Sequence, residues 1–149
     1  MNSEKINWCL SQSSGINLMP PNINLSNSYI KEADETLENV FSSKGKWKTI
    51  TAYYACYSAL YSILMKCGIK CEIHDYTLEL INLFSFTKEE IKFIKNLKDD
   101  RINAQYHLKN ILLNDEKPVK EFIFKCKIIL NDLNSQKIEE IRKLLMEKS

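Results

Sequence analysis

Glycine and proline are scarce in this chain, three of each in 149 residues. An all-β domain of this size needs more of both for its turns, so the shortage points to helices joined by short loops. No stretch approaches the ~20 consecutive apolar residues of a membrane span. No apolar leader with a cleavage site opens the sequence, so a soluble, cytoplasmic protein that does not enter a membrane is expected. Cysteine occurs five times, at positions 9, 56, 67, 71 and 126, and an odd count fits a reducing compartment better than a disulfide framework. Internal repeats and low-complexity linkers are missing as well. One domain is therefore expected, residues 25–149, preceded by an N-terminal arm, residues 1–24, whose Trp8 packs on the rest.

A more local absence concerns charge. The net charge of +2 decides nothing, but the segment 44–70 contains no acid and five lysines, Lys44, Lys46, Lys48, Lys66 and Lys70. Three of them sit where a helix should begin, an end already positive from its dipole. Lys46 and Lys48 are thus candidate anion-binding residues, with a solvated lysine cluster as the alternative. Metal ligands are also short. Cys67, Cys71 and His74 form C-x3-C-x2-H, yet no second pair completes a tetrahedral site, so buried cysteines are expected and no metal or other cofactor.

What the chain has in quantity is helical periodicity. Residues 46–67 are apolar on more than one side: Trp47, Ile50, Tyr54, Tyr57, Tyr61 and Leu64 form one series, and Tyr53, Cys56, Leu60, Ile63 and Cys67 another. Between them runs a stripe of small residues, Ala52, Ala55, Ala59 and Ser62, which lets a neighbour approach closely. This reads as the central helix of a bundle, stopped by Gly68. Around it the spacing predicts helices near 25–43, 88–113 and 118–133, a shorter one near 74–84 capped by His74 or Asp75, and a terminal amphipathic piece after Asn134-Ser135. Thr87-Lys88-Glu89-Glu90 is a capping box that opens the 88–113 helix, and Pro118 suits the first turn of the next. Ile69–Ile73 reads as a loop. The fold class is all-α, an antiparallel up-and-down bundle of four principal helices.

The 88–113 helix carries an anomaly. Its apolar stripe is Ile91, Ile94, Leu97, Ala104, Leu108, Ile111 and Leu112, and at 100° per residue Arg101 falls in the middle of that stripe. A guanidinium there must face a carboxylate, an anion or a water-filled cleft, because burying it alone is costly. Beside the stripe runs a polar line, Asn96, Asp100, Asn103, His107 and Asn110. The sequence has two arginines and two histidines, and one of each lies here, six positions apart and about 120° apart on the helix. A structural ion pair of Arg101 with Asp34 or Glu35 is the plainer alternative.

Arg101-Ile102-Asn103-Ala104-Gln105-Tyr106-His107 resembles the R-x(4–6)-H motif of the HEPN family, the higher-eukaryote and prokaryote nucleotide-binding domains. Ala52-Tyr53-Tyr54-Ala55-Cys56-Tyr57-Ser58-Ala59-Leu60 resembles that family's helix of aromatic and small residues, and the likeness extends over roughly Tyr29 to Leu133. The resemblance implies a homodimer that brings both motif helices to one cleft, and a metal-independent endoribonuclease that leaves a cyclic phosphate on its RNA. His107 would then be general base or acid, Arg101 would hold the phosphate, and Asn103 would orient substrate or His107. Tyr106 and Asp100 would border the binding site. Many such proteins are toxins paired with a minimal nucleotidyltransferase antitoxin, sometimes modified on a tyrosine beside the motif, here Tyr106. The residue after the arginine is usually polar in nucleolytic members and is Ile102 here, so a non-catalytic module binding nucleic acid, nucleotide or such a partner stays open.

Overall fold

The arrangement follows from one helix with too little polar surface to lie at an edge. A computed structural model describes residues 4, 6–8 and 15–147. Short strands β1 (Ile16–Leu18) and β2 (Ile69–Cys71) accompany helices α1 (Ile23–Ser42), α2 (Lys46–Cys67), α3 (His74–Leu80), α4 (Lys88–Gln105), α5 (Lys117–Asp132) and α6 (Ser135–Met146), with a 3-10 turn at Ile81–Leu83. The molecule is an all-α bundle, and α1, α4, α5 and α6 all pack on α2.

The small-residue stripe does what its size permits. Ala52, Ala55, Ala59 and Ser62 are fully buried, and the Ser26 hydroxyl of α1 reaches across to donate to the Ser62 carbonyl at 2.7 Å. Only a close crossing allows a serine side chain to bond another helix's backbone. The α1–α2 link is short and makes the two antiparallel neighbours. The helix is apolar on more than one side, yet one of its faces is left uncovered. Trp47 is 59% exposed and Tyr54 37%, and with Thr51 and Ser58 they line one side of the helix, two turns apart.

Several termini form as their residues dictate. Thr87 and Glu90 make the reciprocal capping box, Asn22 and Asn134 cap α1 and α6, and Pro118 sits in the first turn of α5. Gly68 ends α2 in the left-handed region, φ 71°. A Cβ at Gly68 would collide with the Met19 carbonyl and the Pro21 nitrogen, because the N-terminal segment is laid against this helix end. There β1 pairs antiparallel with β2, Ile16 opposite Cys71, and Met19 N–H donates to the Gly68 carbonyl. Ile69–Cys71 is therefore a strand and not a loop. From α6, Arg142 donates to the carbonyls of Met19, Cys67 and Gly68 at 2.8, 2.8 and 3.1 Å, satisfying acceptors that a helix end leaves open.

In the N-terminal arm, Ile6 and Ile16 are core residues and the half-exposed Trp8 ring lies 5.4 Å from that of Tyr76. Cys9, the first of the five cysteines, lies outside the described residues. The largest departure is α4, which stops at Gln105 instead of continuing to Leu113. Leu108 takes a left-handed φ of 52°, Lys109 N–H donates back to the Asn103 carbonyl, and the following stretch turns towards α2, where Thr49 Oγ1 donates to the Ile111 carbonyl at 3.0 Å. Leu108 and Leu112, expected on the buried stripe, are consequently exposed.

A candidate anion site around Arg101

Ile94, Leu97, Arg101 and Ala104 recur at steps of three and four along α4, and all four are buried. Arg101 is 7% exposed. It faces neither Asp34, which accepts from Lys127 at 2.8 and 3.0 Å, nor Glu35, which lies 4.0 Å from Lys31. The ion-pair alternative is thus set aside.

Aromatic rings surround the guanidinium. Its carbon lies 4.7 Å from the Tyr53 ring centroid, 5.6 Å from that of Tyr54 and 5.7 Å from that of Tyr106. One terminal nitrogen donates to the Tyr54 hydroxyl at 3.3 Å and more weakly to Gln105 Oε1 at 3.5 Å. The buried Nε has no hydrogen-bond partner among the described residues. Aromatic faces were not among the surroundings anticipated from sequence, and they explain how the charge is tolerated: a ring face attracts a cation without neutralising it. The guanidinium keeps its positive charge and meets no carboxylate among the described residues.

A second imidazole, not anticipated there, adjoins the site. His74 is the first residue of α3 and makes no capping bond; the cap position is Ile73, which corrects the assignment of His74 or Asp75 as cap. Its Nδ1 lies 2.8 Å from the Tyr53 hydroxyl, and its ring stacks on Tyr57 at 4.1 Å with planes 9° apart. The Tyr57 hydroxyl is 3.3 Å from Thr77 Oγ1, which also lies within bonding distance of the Cys71 and Ile73 carbonyls. Arg101 and His74 therefore meet on one residue, the fully buried Tyr53. Lys98, one turn before Arg101, pairs with Asp75.

Burial pushes the Tyr53 hydroxyl well above the ordinary tyrosine range and that of Tyr57 up to about 12, so both phenols keep their protons at neutral pH. His74 is held below the usual histidine value by burial first, then by Arg101 and Lys98, with Asp75 opposing. Its imidazole is neutral at pH 7.

No protein-family model matches this chain, and no curated protein matches it. The other anticipated site residues fall as follows. Tyr106 follows the last residue of α4, exposed, its ring beside the guanidinium. His107 lies beyond the helix and is exposed, so the helical angle expected between it and Arg101 does not apply. Asn103 is half-buried and gives its carbonyl to Lys109. Asp100 is half-buried, its carboxyl raised by burial and then by Asp99. Lys46 and Lys48 lie in the first turn of α2, with Lys48 about 9 Å along the axis from Tyr54; Lys48 pairs with Glu116 and Lys46 lies over the Trp47 ring. The acid missing from segment 44–70 is thus supplied by residues outside it, Glu116 to Lys48 and Glu72 to Lys70.

Cys67 and Cys71 are buried, burial raising the Cys67 thiol to about 12, and Cys71 Sγ lies 3.4 Å from the Ile73 carbonyl. Among the described residues no group of three His, Cys, Asp or Glu is placed to hold a metal ion. Sequence reasoning missed Tyr53, Tyr54, Gln105 and His74 as parts of one site. Gln105 was accessible in principle, four positions after Arg101 on the same helix face. His74 was not, because its loop carries no periodicity to aim it.

Proposed function

We propose that this protein is a HEPN-like, metal-independent endoribonuclease in which Arg101 holds the scissile phosphate and His107 moves the proton. The observation that supports it is the Arg101 guanidinium: buried and, among the described residues, facing no carboxylate and with Nε unpartnered. A phosphodiester supplies what that group lacks, a charge and several acceptor oxygens. The resemblance of residues 101–107 to the R-x(4–6)-H motif supplies the reaction, attack of the RNA 2′-hydroxyl on the adjacent phosphorus. The exposed Trp47, Tyr54 and Tyr106 suit a second copy that completes the cleft.

A second reading, a non-catalytic module that binds nucleic acid, nucleotide or a nucleotidyltransferase partner, is favoured by a specific observation: α4 ends before His107 and leaves it exposed. Mixed single-stranded RNA incubated with the protein and a chelator separates the two. Cleavage that persists with chelator and is abolished by Arg101→Ala and by His107→Ala supports the nuclease, and the double variant should lose little more than either single one. RNA left intact but bound, with Arg101→Ala weakening binding and His107→Ala neutral, supports the module.

A further inference from the structure

His74 is the polar group of this site that the proposed reaction does not use. It is half-exposed, its Nδ1 is engaged by Tyr53, and its Nε2 makes no hydrogen bond among the described residues. Two aromatic contacts hold the ring, the Tyr53 hydroxyl at its edge and the Tyr57 face against its plane. Tyr53 is also the ring on which the Arg101 guanidinium rests. We propose that His74 is a second, proton-dependent cation of the Arg101 site, held by Tyr53 and Tyr57 so that anion binding and protonation of its imidazole favour each other. The proposal rests on the reading of Arg101 as an anion-binding residue.

The groups facing His74 permit this. From α2 come the two phenols, which are neutral. From α4 come Arg101 and Lys98, both cationic, and from its own helix Asp75, whose carboxylate is engaged by Lys98. Without an anion, burial disfavours a proton on His74, and the repulsion of Arg101 and then Lys98 adds to it. An anion at Arg101 removes that repulsion. The Tyr53 hydroxyl does not stand in the way, because a phenol can donate to a neutral Nδ1 or accept from a protonated one. Protonation thus breaks no contact: the added proton sits on Nδ1, the phenol turns to accept it, and the exposed Nε2–H edge stays a donor and gains charge. Reciprocity then requires that the factor by which a bound anion raises proton affinity at His74 is the factor by which His74 protonation raises anion affinity at Arg101.

The test uses a short oligothymidylate, which has no 2′-hydroxyl to react and whose charge stays constant between about pH 5.5 and about pH 8, across the histidine range. Binding to the full chain is expected to tighten several-fold from the upper to the lower pH, towards the tenfold limit that a one-unit rise in the His74 midpoint sets below both midpoints. Each variant is compared with its own affinity at the upper pH: His107→Gln should keep that gain and His74→Gln should lose it. An equal gain in His74→Gln overturns the proposal and leaves Arg101 as the anion site. Arg101→Ala that binds as tightly as the parent removes the anion reading itself, and the proposal with it. The third measurement needs no His74 variant: in the imidazole NMR spectrum of a two-histidine protein, with the His74 signals identified by their survival in His107→Gln, the His74 titration midpoint should rise by about one unit when the oligomer is bound. A midpoint that stays in place overturns the proposal.

Discussion

Arg101 gives up water without gaining a carboxylate. Cation–π contacts return about 0.5–2 kcal/mol, and an unpartnered buried donor costs about 1–3 kcal/mol, so the residue adds little to stability. Arg101→Met, which keeps the length and apolar bulk, should therefore leave urea-unfolding stability within about 1 kcal/mol of the parent while weakening RNA binding. A loss of several kcal/mol would mark Arg101 as structural. His74 carries a pH signature in the free protein. Its folded value lies below the ordinary 6.5, so on acidification the unfolded chain takes the proton first. The stability due to the neutral imidazole is complete above 6.5 and is lost as pH falls through the folded value. The melting temperature of the parent should fall across that window, and that of His74→Gln should fall less.

At the scale of elements, the end of α2 is the most constrained point. Gly68 has a left-handed φ and no room for a methyl group, so Gly68→Ala should cost at least about 2 kcal/mol in urea unfolding, more than a glycine-to-alanine change at a free helix end. Much of this element was legible in the chain: the small-residue stripe, the stop at Gly68 and the capping box at Thr87 are local signals whose geometry does not depend on distant partners. The strands β1 and β2 were not legible, because each is three residues long and its partner lies some fifty positions away. The end of α4 was misread for a related reason. Leu108, Ile111 and Leu112 continue the helical spacing, yet the chain turns at Leu108 and the stretch is held by a bond from Thr49, a residue 62 positions distant that no local pattern reveals. The site shows the same division. Arg101 stood out on its own helix, whereas the ring of tyrosines and His74 around it is assembled from α2, α3 and α4 and has no signature in any one of them.

For the molecule as a whole, the open face of α2 sets the expected assembly. Trp47, Tyr54 and Tyr106 are large apolar side chains left in water, and covering them with a second copy would shield the Arg101 site from solvent. Light scattering should give the mass of two chains, and Trp47→Lys should give the mass of one while leaving the helical circular dichroism unchanged. A parent mass of one chain at micromolar concentration would count against the shared cleft. Arg142 bears on a different property. Its bonds to Met19 and Cys67 join residues 123 and 75 positions apart, separations whose loop-closure entropy is not recovered until the rest of the bundle is in place. The clasp should then form after the folding barrier is crossed. In a chevron plot Arg142→Ala should steepen nothing and leave the refolding limb unmoved while raising the unfolding limb throughout, so this residue determines how long the folded molecule lasts and has no say in how fast it is made.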